Sequence, residues 1–339
     1  MTIKRTKAVV LPLYNDNLIR ALLGLKIEER EIPELKPDEV LIKLGASPCN
    51  PSDIAFLRGG YNIVKPIPVV PGFEAMGEVV ETGTEAQHLI NKKVSCFSQE
   101  DSDGTWAEYF RAKAKDCIVL KDGINNDQAA CLSINPLTAV GMFELVEKAG
   151  NVPFVLNAAG GQVPVFMRVL AAEKGIEVIN IVRKEEQVEQ LRNAGQKMVL
   201  NSTAEDFSDQ LAQACNTLNP LFAFDAVAGE ISGQMLNSLP EEGTLVIYGG
   251  LSGQSVSGID TMGVIFKRKK VIGFNLNEWI AEMDENTFKE QTDHVQDLFI
   301  EEKFKTQIQG SYKLEDVVTG IRAYIKSMSA GKILLKGDL

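Results

Sequence analysis

Apolar and polar positions alternate in two different ways along this chain, and the change falls near residue 128. Before it, short runs such as Lys7–Leu11, Glu39–Leu44 and Ala75–Glu81 read as strands, punctuated by Pro33, Pro37, Gly59-Gly60 and Pro71-Gly72. After it, helical and strand periods take turns. Ala139–Lys148 reads as a helix ending at Gly150, Phe154–Leu156 as an apolar strand, and Val165–Ala172 as a helix stopped by Gly175. Ile176–Val182 is a second buried strand, Lys184–Asn193 a helix closed by Gly195, and Met198–Asn201 a strand. Ala204–Cys215, Ala223–Val227, Ser232–Leu239 and Thr244–Tyr248 continue the alternation of helix and strand. Such alternation predicts an α/β domain built on a doubly wound parallel sheet. The tail carries an amphipathic helix, Glu285–Glu301, a second helix, Asp316–Ser327, and a last strand, Lys332–Lys336, returning to the first domain. At 339 residues two domains are the default: residues 1–127 and 128–276, with 277–339 following.

The stretch Asn157-Ala158-Ala159-Gly160-Gly161-Gln162-Val163-Pro164 lies between the first strand and helix of the alternating region. Strand, glycine turn, helix and strand form the first half of a dinucleotide-binding unit, in which backbone N–H groups and the helix start meet a pyrophosphate. Gly160, Gly161, Gln162 and Val163 are the candidate contacts. In the G-x-G-x-x-G register the three glycine positions read Ala159, Gly161 and Pro164. A proline is tolerated in a first helical turn, where its missing N–H has no partner within the helix. The same residues also fit an ordinary buried βαβ unit.

The tip of the second strand favours the nucleotide. A protein holding NAD places Asp or Glu there, about 20 residues on, to bind ribose hydroxyls. Here the spot reads Arg183-Lys184, a cationic pair suited to the 2′-phosphate of NADPH. The other reading is a solvated helix start, which Glu185-Glu186 would also suit.

Charge and cysteine content narrow the classes. A net charge of −11 argues against nucleic-acid binding, and the basic run Lys267–Lys270 sits in acidic surroundings. No apolar run reaches membrane-spanning length. The five cysteines are scattered, with no C-x-x-C pair, as expected of reduced thiols in a cytoplasmic protein without a signal peptide.

Several spaced motifs carry a resemblance: Asn50-Pro51-Ser52-Asp53, Pro71-Gly72-Phe73-Glu74-Ala75-Met76-Gly77, Gly104-Thr105-Trp106-Ala107-Glu108-Tyr109, Asn135-Pro136-Leu137-Thr138-Ala139, Tyr248-Gly249-Gly250-Leu251 and Gly331-Lys332. In this order they resemble the medium-chain dehydrogenase/reductase superfamily, and within it the zinc-free quinone oxidoreductases and 2-enoyl thioester reductases. The resemblance implies a GroES-like β-rich catalytic domain, residues 1–127 completed by 277–339, with a Rossmann cofactor-binding domain, 128–276, inserted. It also implies a homodimer, paired through the segment from Gly258 to Phe274, whose Met262–Phe266 stretch could equally be monomer core.

Against that pattern the metal ligands are missing. Asn50 stands at the ligand cysteine position, with Cys49 one residue early, and Phe73 at the ligand histidine position. One Cys beside one Asn cannot make a tetrahedral zinc site, so no metal is expected. Cys49 then reads as a small buried side chain.

The expected chemistry is hydride transfer from NADPH to a quinone or a small α,β-unsaturated carbonyl. Negative charge growing on the acceptor oxygen calls for a hydrogen-bond donor and one proton. Tyr61, in Arg58-Gly59-Gly60-Tyr61, resembles the proton-donating tyrosine of enoyl thioester reductases; an aromatic plug under the glycine turn is the other reading. Asn50 would offer its amide to substrate or cofactor, or else simply form a turn before Pro51.

The same matching puts Asn135 and Thr138 beside the nicotinamide end of the cofactor, with a helix cap as the alternative for Thr138. Tyr248, Gly249, Gly250 and Leu251 lie beyond a strand's carboxyl end, Phe274, Asn275 and Leu276 line the same crevice, and Lys332 reaches the cofactor. Enoyl reductases often carry Trp where Asn275 stands; here the nearby Trp279 is expected to pack on its own helix. Two rivals accompany the quinone or enone reading: a trans-2-enoyl-thioester (CoA or acyl-carrier) reductase, and a non-catalytic nucleotide- or partner-binding descendant of the fold.

Overall fold

A computed structural model describes residues 3–99 and 102–338. The chain forms two compact units, residues 138–285 and residues 1–137 together with 286–339. The boundaries fall about ten residues beyond the expected 128 and 277. At the first, the short helix Asn126–Ala129 leads into Ala130 and Cys131, which pack with Ala46, Met76 and Leu334 of the β-rich unit. At the second, helix Leu276–Ala281 stays with the α/β unit, where Trp279 lies against Phe274 and Gly141.

The α/β unit holds a six-stranded sheet, parallel throughout. Its spatial order is Met198–Asn201, Val178–Val182, Phe154–Leu156, Phe222–Asp225, Thr244–Ile247 and Lys270–Gly273. Phe154–Leu156 and Val178–Val182 are buried along their whole length, because helices cover both faces of such a sheet. The chain order reverses beside Phe154–Leu156, so crevices open at the carboxyl ends of these strands.

In the other unit Glu39–Pro48 is the hub. It pairs antiparallel with Glu74–Thr82, Tyr109–Lys113 and Lys332–Lys336. The C-terminal strand therefore belongs to the N-terminal sheet, as expected, and brings Ile308–Lys313 with it as a parallel neighbour. Lys26–Glu31, which the hydropathy pattern missed, is an exposed polar strand that pairs with Arg5–Val10. Among the described residues no helix is long and apolar enough to cross a membrane.

Candidate functional site

The nucleotide half begins where Phe154–Leu156 ends. Ala158 turns the chain with φ of 46°, the Gly161 N–H donates to the Ala158 carbonyl at 2.8 Å, and helix Gln162–Glu173 starts at once. A Cβ at Gly161 would lie 3.1 Å from the Ala158 carbonyl oxygen, so the tightness of the turn favours glycine. Pro164 is the third residue of that helix and buried, within the turn that needs no N–H from it. From below, Arg168 donates to the Ala159 carbonyl at 2.7 Å and to Asn180 Oδ1 at 3.1 Å. Burial pulls its pKa down to about 10.

The next strand end is braced by a buried carboxylate. Asp225 Oδ1 accepts from Asn157 Nδ2 at 2.5 Å and from the Val227 and Ala228 N–H groups at 2.8 and 3.0 Å. Ser232 donates to its Oδ2 at 2.5 Å. This carboxylate is spent on shaping the loop through Ala228 and Gly229. Tyr248 to Ser252 are stitched to that loop by backbone bonds, and a Cβ at Gly249 would come within 2.9 Å of the Ala226 oxygen. Open space surrounds Gly250, and Leu251 is exposed. The Tyr248 hydroxyl is buried without a hydrogen-bond partner, and burial pushes its pKa up.

Arg183 and Lys184 are exposed at the tip of Val178–Val182, their side chains in no ion pair or hydrogen bond among the described residues, and Lys184 is the residue before helix Glu185–Asn193. Phe274 continues from the edge strand, Asn275 caps helix Leu276–Ala281 by accepting from the Asn277 N–H at 3.0 Å, and Leu276 is buried. A Cβ on Gly141 would meet Phe274 and Trp279 at 2.6 and 2.8 Å, so Trp279 lies against helix Asn135–Lys148 as well as in its own. Asn135 opens that helix; Thr138 is buried one turn inside it and is not its cap.

In the catalytic half, Asn50, Asp53, Glu74 and Lys332 are almost entirely buried and form one polar cluster. Asn50 precedes helix Pro51–Leu57, and its N–H donates to Asp53 Oδ2 at 2.7 Å. Its amide is committed on both sides. Nδ2 donates to Glu74 Oε2 at 3.0 Å, and Lys332 Nζ donates to Oδ1. Because an ammonium can only donate and a carboxylate only accept, the amide has one permissible orientation. Glu74 Oε1 accepts from the Ser133 and Ile134 N–H groups, both at 2.9 Å, which ties it to the start of the helix bearing Asn135.

Burial raises the Glu74 pKa against the pull of Lys332, Asn50 and the two N–H groups, and carries Asp53 up to about 7. Asp53 Oδ1 is buried and makes no well-aligned hydrogen bond among the described residues, although the Phe73 N–H acts on this carboxyl. The thiol of Cys49 is fully buried and pushed well up, as suits a small packing side chain.

These contacts give two of the expected residues partners within the protein. Asn50 bonds through its amide to Glu74 and Lys332, inside the cluster. Lys332 is turned inward to the same amide, because two buried carboxyl groups need a cation nearby. A positive metal would have to displace that ammonium. Phe73 stacks between Phe56 and Tyr61, and among the described residues no group of three or more His, Cys, Asp or Glu could hold a metal. The residues present do not fit a catalytic zinc.

Tyr61 stands at the edge of this cluster, half-buried, its ring tilted on Phe73 with centroids 5.5 Å apart. Gln99 Nε2 donates to its hydroxyl oxygen at 3.0 Å, while the phenolic hydrogen has no acceptor among the described residues. Burial raises the Tyr61 pKa, the Gln99 bond lowers it and the Asp53 charge raises it. Its loop is pinned by Tyr14, whose hydroxyl donates to the Lys65 carbonyl at 3.0 Å and accepts from the Lys65 N–H at 2.9 Å. Asp53 and Glu74 lay inside the sequence motifs without an assigned part; Gln99 carried no sequence signal at all.

Two family models match this chain: an alcohol dehydrogenase GroES-like domain over residues 36–122 and a zinc-binding dehydrogenase domain over 166–296. A mitochondrial enoyl-[acyl-carrier-protein] reductase of Arabidopsis thaliana is 30% identical over 284 residues, 80% of this chain and 73% of that protein. A crystal structure from Mesorhizobium loti, provisionally named an NADPH:quinone reductase, superposes with a TM-score of 0.92 at 30% identity, covering 99% of this chain and 100% of its own. An enoyl thioester reductase from Candida tropicalis shares the fold at TM-score 0.79 and 22% identity, over 99% and 100% of the two chains. The chain belongs to the medium-chain dehydrogenase/reductase superfamily, in the branch of the quinone reductases and enoyl thioester reductases, and is an oxidoreductase of that type.

Proposed function

We propose that this chain is a zinc-independent, NADPH-dependent reductase of quinones or small α,β-unsaturated carbonyls. The observation that carries the proposal is the Tyr61 phenol, which keeps an uncommitted hydrogen beside a site where Phe73 and the Lys332 ammonium leave no place for zinc. In the α/β unit the start of helix Gln162–Glu173 would take the pyrophosphate, and Arg183 with Lys184 the 2′-phosphate. The orphaned Tyr248 hydroxyl and the open space at Gly250 are what a ligand-lined strand end requires.

Bound there, the reduced nicotinamide supplies a hydride to an electron-poor acceptor. The protein's part is to meet the charge that then grows on the acceptor oxygen, and Tyr61 does so with its O–H. Raised by burial, its pKa keeps the phenol protonated through neutral pH. A second reading, a trans-2-enoyl-thioester reductase, is favoured by the Arabidopsis relative. Asn275 weakens it, since its side chain is used as a helix cap.

The first experiment is a fluorescence titration with NADPH and NADH, followed by turnover with a naphthoquinone, a short enone and crotonyl-CoA. Selective NADPH binding and faster quinone or enone turnover support the proposal. Preference for the thioester moves the chain to the second reading, and binding of neither nucleotide removes the enzyme reading. We also propose a homodimer. Strand Lys270–Gly273 is exposed along its length, has one partner strand, and lies beside the exposed Met262, Ile265 and Phe266. Light scattering of wild type and Phe266→Glu tests it; a monomeric wild type would end it.

A further inference from the structure

We propose that Gln99 is the positioning residue for the transferred proton: its amide N–H holds the Tyr61 oxygen, aims the hydroxyl hydrogen at the substrate, and remains to stabilise the phenolate. This rests on the reading of Tyr61 as donor.

The ring itself has little freedom. Tyr61 lies on Phe73, Phe73 meets Phe56 edge-on, and Phe56 meets Tyr14, whose hydroxyl closes the loop at Lys65. What remains is rotation about the C–O bond, and a phenolic hydrogen prefers the ring plane, on one side or the other. The Gln99 N–H, 3.0 Å from the oxygen, takes one of those sides. The hydrogen is driven to the opposite side, where none of the described residues accepts it. Turned the other way, the amide would present its oxygen and absorb the hydrogen, leaving nothing to donate.

During reduction the Tyr61 O–H bond breaks and a bond from that hydrogen to the substrate forms. The electron pair stays on the phenolate oxygen, and solvent later restores the proton. Gln99 already donates to that oxygen, and a hydrogen bond to the charged form strengthens as the charge appears. Among the described residues the charged groups near the phenol are Asp53, which opposes the phenolate, and Lys65, whose ammonium lies over the Phe73 ring at 5.6 Å.

The test compares wild type, Gln99→Met and Gln99→Glu, using NADPH with a naphthoquinone and with crotonyl-CoA. Gln99→Met keeps the length of the side chain and removes the donor. Its kcat is expected to fall about five- to tenfold with KM unchanged. In parallel, the ultraviolet tyrosinate titration of Tyr61, isolated by difference against Tyr61→Phe, moves to higher pH. Gln99→Glu donates while protonated and accepts once ionised, so its kcat falls as pH rises through the range where wild type is flat. Unchanged kcat in Gln99→Met, a shift in KM alone, or an unmoved Tyr61 titration overturns the proposal. Full turnover by Tyr61→Phe would instead remove the donor reading, and the titration would still decide whether Gln99 holds that phenol.

Discussion

Arg183 and Lys184 stand exposed at the tip of a parallel strand, whereas Asp53, Glu74 and Lys332 are almost wholly buried among antiparallel strands and a short helix. Solvated cations at a strand tip cost the fold little and stay available to an anionic ligand. Buried charges must be matched from within, and here one ammonium reaches Glu74 through the Asn50 amide and acts on Asp53 by its charge. The nucleotide half therefore leaves cations unpaired at its surface. The catalytic half holds its shape by pairing, and the hydrogen on the Tyr61 hydroxyl is among those it leaves unspent.

The contrast breaks most visibly at Lys332. Lys332→Met would strand Glu74 and Asp53 without a cation, and we expect a loss of about 3–5 kcal/mol in urea unfolding. Glu74→Gln in the same chain should restore part of it, since the Asn50 amide is then free to flip.

Next comes the pH dependence. The folded Asp53 holds its proton up to about 7, while the unfolded chain releases it near 3.8. Between those values the folded state binds more protons, so stability is fully present below the window and falls as pH rises through it. The loss reaches about 4 kcal/mol, and Glu74, also raised, adds in the same direction. Asp53→Asn should flatten the decline in Tm measured from about pH 5 to about pH 8. An equally steep variant would refute the assignment.

Smaller effects belong to the exposed charges. Arg183→Ala should weaken NADPH about ten- to a hundredfold and leave NADH unchanged, as loss of a charged hydrogen bond predicts. Its Tm should not move. Arg268→Ala, which removes solvent-facing pairs to Glu241 and Glu242, should change neither Tm nor binding; a drop in Tm would show that the basic run is structural.

The same division explains what could be read from sequence. Strands buried on both faces are continuous apolar runs, so Phe154–Leu156 was legible to the residue. Lys26–Glu31 was not: its side chains are mostly solvated, and backbone bonds to Arg5–Val10 make it a strand. Tyr61 was legible through its glycine loop. Gln99 was not, because nothing local distinguishes it and its partner is 38 residues away. Lys332 was placed on the right strand, but its bond to Asn50 was not legible, since hydropathy says nothing of a contact across 282 residues.

That last separation has a consequence for biosynthesis. Glu74 and Asn50 leave the ribosome long before Lys332, and residues 138–285 emerge between them. Domains fold largely in order of synthesis, so the inserted unit can reach its native state while the first remains an open sheet with its acidic groups still hydrated. Translation of Lys332–Lys336 delivers both the strand that joins Ile308–Lys313 to Glu39–Pro48 and the neutralising cation in one segment. Completion of the catalytic unit thus waits for these late residues, and their arrival, more than early collapse, marks the moment at which the Asn50 amide is set.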